Sequence, residues 1–436
     1  MIFSFRGKKS SKKGQKNEFK EGNISLELSI PTHFRCPISL DLMKDPVTLS
    51  TGITYDRESI EKWTDSGNLT CPVTHQMLHD LNMIPNHFLR KMIQDWCVEH
   101  QSHGIERIPT PRIPISAYQV SQICSKIVYA TEQRDEEKLR DLIRKVSVWA
   151  KESGKNKICM VENGAGRAFS VAFESFASIS MEKYADLLKI ILSGLAWMFP
   201  FGEEGLSKIG SRTSFQCIVW FLKGDDLSAK QNSVTVLNQL LSLNKSYAVK
   251  LMEIEGVAET LFKIVQAPIS PALTKASLVV IYNLMQGNEK LVESFVDMGL
   301  AQVVIEVLVD GEKSMSEKAL GVLDQICNSQ KGKEIASKNA LTIPVLGKKL
   351  LRVSELATEF TVSIMWKLCN KNQEKSLVVE ALQVGAFPKL LVLMQVGCVQ
   401  ATKEKVTDLL KLMNLCKDKV ECIDSTSGFK YLRRSN

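Results

Sequence analysis

Cys36, Cys71, His75 and His79 have the side chains of the N-terminal part of the chain best suited to hold a metal or act as nucleophiles. Zinc sites favour close ligand pairs such as C-x2-C, and neither cysteine has a second thiol at that spacing. Pro72 follows Cys71 and argues against a helix that would present the two histidines together. The spacing points to lone, buried, structural thiols, and no metal or cofactor is expected. A P-loop, a hydrolase elbow and a kinase signature are absent, so no small-molecule chemistry is indicated.

These residues must be positioned by a small mixed unit over residues 30–103. All six histidines of the chain lie in it, and short extended segments alternate with two helices. Asp56 is placed to cap a helix through Arg57–Asp65 that stops near Gly67. Asn86 is placed to cap a second, with Leu89, Ile93 and Trp96 on one face. Residues 104–116 carry Gly104, Pro109, Pro111 and Pro114 and read as a linker.

From 117 to 420 the pattern is helical and it repeats. Gly164, Gly210, Gly256, Gly299, Ala340 and Gly385 each separate a helical stretch from an apolar one. A second series, Gln239, Asn283, Gln325, Lys367 and Lys411, sits in a recurring apolar-x-polar-apolar text. Both keep a period of about 43 residues, which with all-helical content means stacked two- or three-helix units. Such units bury one continuous core and leave one long concave surface, so this half predicts binding rather than catalysis.

Of the net charge of +8, residues 1–20 carry +6, and residues 1–29 read as a basic disordered tail; residues 421–436 read as a second basic tail. The body between them is close to neutral, and no nucleic-acid partner is expected. The N-terminal tail is also compatible with nuclear import or contact with an acidic membrane surface. No stretch reaches the roughly 18 apolar residues of a membrane helix. Eleven cysteines without pair spacing indicate a reducing compartment, and the localisation expected is cytoplasmic, with nuclear or peripheral membrane sites as alternatives.

Residues 30–103 resemble the U-box, the zinc-free relative of the RING domain. The resemblance rests on Cys36-Pro37-Ile38-Ser39, Asp45-Pro46-Val47, Gly52-Ile53-Thr54-Tyr55-Asp56-Arg57, Ile60-Glu61-Lys62-Trp63, Cys71-Pro72-Val73-Thr74 and Ile84-Pro85-Asn86. Against a RING pattern, the metal-ligand positions fall on Cys36, Ser39, Thr51, Ile53, Asp56, Ser59, Cys71 and Thr74. Two thiols, several hydroxyls, a carboxylate and an isoleucine bind zinc poorly but, Ile53 apart, hydrogen-bond well. The resemblance thus implies a polar network of Cys36, Ser39, Thr51, Asp56, Ser59, Cys71 and Thr74 in place of the metals.

The repeat half is similar to armadillo repeats, and the combination resembles the plant U-box ligases with C-terminal armadillo repeats. The fold class expected is a small α+β U-box followed by an all-α armadillo-type solenoid. The resemblance implies ubiquitin ligation: the U-box docks a ubiquitin-charged conjugating enzyme, with no covalent intermediate of its own, and the repeats recruit a protein substrate, a receptor-like kinase being one such partner in this family. Ile38, Leu40, Trp63 and Pro72 match the family's docking positions, although a small core also wants such residues. His75 stands where many of these ligases carry an arginine that bridges ubiquitin and the conjugating enzyme. Gln239, Asn283, Gln325, Lys367 and Lys411 match an armadillo groove ladder, which implies an extended, partly acidic ligand at the two lysines; the alternative is a row of solvated helix positions. A non-catalytic scaffold with a docking-only U-box is the competing reading of the whole chain.

Overall fold

The computed structural model describes residues 30–78, 80–103, 105–106, 108, 114–370 and 375–416. The two basic tails, His79 and much of the proline-rich linker lie outside the described residues. The chain divides into two compact units between Ile113 and Pro114.

In the first unit, β1 (Pro46–Thr48), β2 (Thr54–Asp56) and β3 (Ile84–Pro85) form an antiparallel sheet in the order β2-β1-β3, with Val47 opposite both Tyr55 and Pro85. Helix α1 (Arg57–Asp65) runs directly out of β2 and ends at Gly67, whose φ of +85° is the left-handed stop the sequence indicated. Helix α2 (His87–Glu99) starts where predicted: Asn86 Oδ1 accepts the Leu89 amide at 3.0 Å. Ile93 and Cys97 of α2 close the core over Val47, Tyr55 and Ile60. Ile108 is buried in the same core and Ile115 packs on the second unit, so each end of the linker is pinned by an isoleucine.

The second unit is helical throughout its described residues. It opens with α3 (Ala117–Glu132) and α4 (Glu136–Glu152). Three-helix repeats follow: α5 (Gly154–Glu162), α6 (Ala165–Ile179) and α7 (Ala185–Leu195); α8 (Gly202–Ile209), α9 (Arg212–Lys223) and α10 (Leu227–Leu243); α11 (Ser246–Met252), α12 (Val257–Gln266) and α13 (Pro271–Met285). Then come α14 (Glu289–Asp297), α15 (Leu300–Asp310) and α16 (Lys313–Ile326); α17 (Gln330–Lys338), α18 (Thr342–Lys349) and α19 (Glu355–Cys369); α20 (Lys375–Gln383), α21 (Ala386–Val396) and α22 (Gln400–Leu415). The predicted small residues fall between the first and second helix of each repeat. Gly164, Gly256, Gly299 and Gly385 are left-handed there, with φ from +74° to +90°, which is why the position favours glycine. The third helices α10, α13, α16, α19 and α22 pack in series, and one apolar core runs from Val120 to Cys416.

Candidate functional site: two matched loops on a polar post

The two cysteines start two loops of the same build. In the first, the Cys36 amide donates to the Asp41 carbonyl and the Leu40 amide to the Cys36 carbonyl, both at 2.8 Å. In the second, Cys71 does the same with Gln76 and His75, again at 2.8 Å. Each fifth residue is left-handed, Leu40 at φ +61° and His75 at φ +57°. The sequences repeat too, Cys36-Pro37-Ile38-Ser39 against Cys71-Pro72-Val73-Thr74.

Strand β2 ties both loops together. The Asp56 amide donates to Cys36 Sγ at 3.3 Å. Its carboxylate does not cap α1 as expected; Oδ1 accepts the Lys44 and Asp45 amides at 2.8 and 2.9 Å and so holds the end of the first loop. Tyr55, one residue earlier, serves the second loop. Its hydroxyl accepts the Val73 amide at 3.3 Å, which leaves the hydroxyl hydrogen for Cys71 Sγ at 3.1 Å. Thr51 also donates to Cys71 Sγ, at 3.4 Å. Burial pushes the Cys71 thiol up, but the hydroxyls of Thr51, Thr74 and Tyr55 and the Thr74 amide outweigh it and lower its pKa from 9.0 to about 6. The donors that surround Cys71 therefore favour a thiolate without a metal. Burial, with the thiolate beside it, raises the Tyr55 pKa.

Five of the seven predicted network residues, Cys36, Thr51, Asp56, Cys71 and Thr74, are joined in this way. Ser39 bonds only within its own loop, accepting the Asp41 amide at 3.4 Å. Ser59 sits half-buried on α1 and no hydrogen bond connects its hydroxyl to the network. The sequence reading missed Tyr55. It also missed Asp45, which accepts Arg57 Nε at 2.6 Å with Arg90 3.8 Å away.

Above this post the loops present an apolar surface. Leu40 is 68% exposed and Val73 47% exposed, while Ile38 and Pro72 are half-buried at their bases. Trp63 is half-buried on α1 and fixes the second loop, its indole N–H donating to the Thr70 carbonyl at 2.8 Å. Leu40 is the informative residue, because an exposed leucine at positive φ is explained neither by packing nor by backbone preference. His75 is exposed, and histidine is among the non-glycine residues that enter the left-handed region more readily.

The five ladder residues stand at one register position near the ends of α10, α13, α16, α19 and α22. Two of them bind the neighbouring repeat instead of facing a free groove. Gln239 Nε2 donates to the Ala196 carbonyl at 3.0 Å. Lys367 Nζ pairs with Asp324 Oδ1 at 2.6 Å, and both side chains are almost buried. Gln325 accepts from Asn328 at 3.2 Å, Asn283 is half-buried, and exposed Lys411 lies 3.7 Å from Asp408. With Lys367 matched by Asp324, the expected pair of free cations is absent. An aromatic pair lies on this face of the third helices: the Tyr282 and Phe360 rings, 5.9 Å apart, meet over Gly321, where a Cβ would lie within 3.4 Å of both rings.

Comparison with known proteins now decides the family. Residues 30–102 match the U-box domain, and residues 119–433 match the ARM repeat region of plant U-box proteins. This chain belongs to the plant U-box proteins with ARM repeats. It is 45% identical to U-box domain-containing protein 21 of Arabidopsis thaliana over 95% of both chains. It is 31% identical to the E3 ubiquitin-protein ligase PUB22 of the same plant, over 89% of this chain and 95% of that one. An engineered protein of known crystal structure, 13% identical, superposes with a TM-score of 0.51 over 75% of this chain and 80% of its own, which shows a shared backbone fold. The U-box of this protein is the unit built on β2, and its ARM repeats are the three-helix units.

Proposed function

We propose that this U-box protein is a ubiquitin-protein ligase whose two matched loops dock a ubiquitin-charged conjugating enzyme and whose ARM repeats hold the substrate. The observation that carries the reading is exposed Leu40 in a strained backbone on the first loop, matched by exposed Val73 on the second loop, which Trp63 holds through Thr70. An interface repays what the free protein loses at that position. U-box ligases work with conjugating enzymes, and ARM repeats bind peptides or proteins. Catalysis is positioning: the docked thioester is restricted to geometries open to attack by a substrate lysine. In this reading no covalent ubiquitin intermediate forms on this chain, and Cys36 and Cys71, both buried, are structural. In this reading His75 contributes a single hydrogen bond to the docked pair in place of arginine's several.

The third-helix face is the substrate surface in this proposal. Its features are amides at Asn283 and Gln325 and the Tyr282–Phe360 pair, not an acid-selecting lysine row. The ten described cysteines are all free, in keeping with a reducing compartment such as the cytosol. A reaction with activating enzyme, a panel of conjugating enzymes, ubiquitin and ATP tests the proposal. Ladders that vanish in Leu40→Ala support it; the absence of any ladder from wild type favours the docking-only scaffold.

A further inference from the structure

Side chains knit successive repeats together at the starts of the third helices, and one rung is missing. Lys189 of α7 pairs with Asp226, Gln231 of α10 bonds Ser270 at 3.3 Å, Lys275 of α13 bonds Glu312 at 2.7 Å, and Glu317 of α16 bonds Ser354 at 2.6 Å. In each case the second residue immediately precedes the next third helix. The next rung would join Glu359 of α19 to the residues before α22, and these are Cys398 and Val399. Glu359 is left half-buried, and no hydrogen bond or ion pair reaches its carboxylate. A second row breaks at the same place. The hydroxyls of Thr274, Ser316 and Thr358 each donate to a carbonyl just ahead of their own helix, at 2.9 to 3.1 Å. Thr402, their counterpart on α22, is only 7% exposed and its hydroxyl has no partner. Buried polar groups are normally bonded, so two unpartnered ones at one place point to a bound group.

Both groups line one cavity of about 540 Å³, a volume within the range of ligand sites. Leu351, Leu393 and Val396 form its apolar part. Leu351 is 38% exposed at φ +64°, the same combination as Leu40 of the U-box. Glu355 lines the cavity as well, one turn before Glu359 on α19, and carboxylates at that spacing repel until a cation joins them. Lysine and arginine cover apolar surface with their stems while the head carries the charge, so they match both halves of the cavity. Lys313 and Arg352 line it too, pair with neither glutamate and balance its charge, so the ligand must offer an acid beside its cation. Phe360 of the aromatic pair follows Glu359 in α19, which joins the cavity to the third-helix face.

We infer that this cavity takes a lysine or arginine side chain of an extended substrate segment. The cation sits on Glu355 and Glu359 and donates to the Thr402 hydroxyl, the stem lies along Leu351, Leu393 and Val396, and an acidic neighbour in the segment meets Arg352 and Lys313. The inference rests on the third-helix face being the substrate surface, and it names the residue class that this face selects.

Half-buried Cys398 lines the cavity and reports on it directly. The full chain is equilibrated with cystamine and, separately, with its uncharged analogue bis(2-hydroxyethyl) disulfide, and the adducts at each cysteine are quantified by peptide mass spectrometry. The ratio of amine to hydroxyl adduct at Cys398 should exceed that at half-buried Cys124 and Cys159 by about fivefold, the upper end for a solvent-accessible ion pair, and should fall to theirs in Glu359→Gln. An equal ratio in the wild type, or one that Glu359→Gln leaves unchanged, overturns the inference. Random peptides displayed on phage and selected on the full chain test the protein ligand. Enriched peptides should pair a basic with an acidic residue and lose about tenfold or more in affinity for Glu359→Gln and for Phe360→Ala. Peptides that need Phe360 but not Glu359 overturn the inference and leave the third-helix face as the substrate surface; peptides indifferent to both variants count against both.

Discussion

Asp56→Ala is the most informative perturbation of the U-box. Asp56 Oδ1 accepts two backbone amides, from Lys44 and Asp45. A hydrogen bond to a charged group contributes about 1.5–3 kcal/mol net, so removing both costs about 3–5 kcal/mol after partial rehydration of the amides. A unit of this size has only a few kcal/mol in hand, so Asp56→Ala should leave residues 30–108 largely unfolded. Asp56→Asn separates two roles for the side chain. Asparagine caps helices as well as aspartate does, so a pure capping role predicts no change. A loop-holding role predicts about half the alanine cost, because the neutral oxygen still accepts but more weakly. Urea titration of the full chain, read by amide exchange in residues 30–108, measures both while leaving the ARM repeats as an internal reference. An Asn variant as stable as wild type, or an Ala variant that keeps its U-box folded in water, refutes the argument.

The Cys71 thiol, lowered to about 6 when folded, makes U-box stability depend on pH. A depressed acid stabilises above its unfolded value near 9 and loses that contribution as pH falls through 6, giving about 1 kcal/mol at pH 7 and about 4 at pH 9. The U-box unfolding midpoint should therefore rise from pH 6 to 9, and Cys71→Ser should flatten the slope. Leu40→Gly should abolish ubiquitin transfer while holding or raising U-box stability by up to about 1 kcal/mol, since glycine accepts positive φ freely; a loss of stability would place Leu40 in the core instead. Lys367→Ala leaves Asp324 buried without its partner and should destabilise the repeats by about 3 kcal/mol, seen as a lower unfolding midpoint, whereas a groove-facing lysine would lower substrate binding alone. His75→Arg adds donors beside the docking surface and should speed discharge of ubiquitin from the conjugating enzyme, with unchanged stability of the free U-box.

What the sequence made legible was local. Asn86 as a cap, Gly67 as a stop and the left-handed glycines between helices each follow from one residue and its neighbours. The repeat period was legible because two landmark series kept it. What stayed hidden depends on partners far along the chain. Asp56 looks like a cap until the fold brings Lys44 and Asp45 within reach, and its carboxylate then has a stronger use. Lys367 looks like a free groove cation until α16 and α19 pack and set Asp324 beside it. Tyr55 stood inside a recognised motif, but only the folded structure shows its hydroxyl between an amide and a thiol. The signal for Val73 was present in the sequence, since the two Cys-Pro loops match each other and Val73 stands opposite Ile38 in that match.

The central claim is that two metal-free loops dock a conjugating enzyme through an apolar tip. In-vitro ubiquitination by the full chain, run with and without a zinc chelator and beside Leu40→Ala, tests it most directly. The account predicts ubiquitin ladders that survive the chelator and disappear in Leu40→Ala while the variant's U-box stays folded. Ladders lost to the chelator, or undiminished in Leu40→Ala, would contradict it.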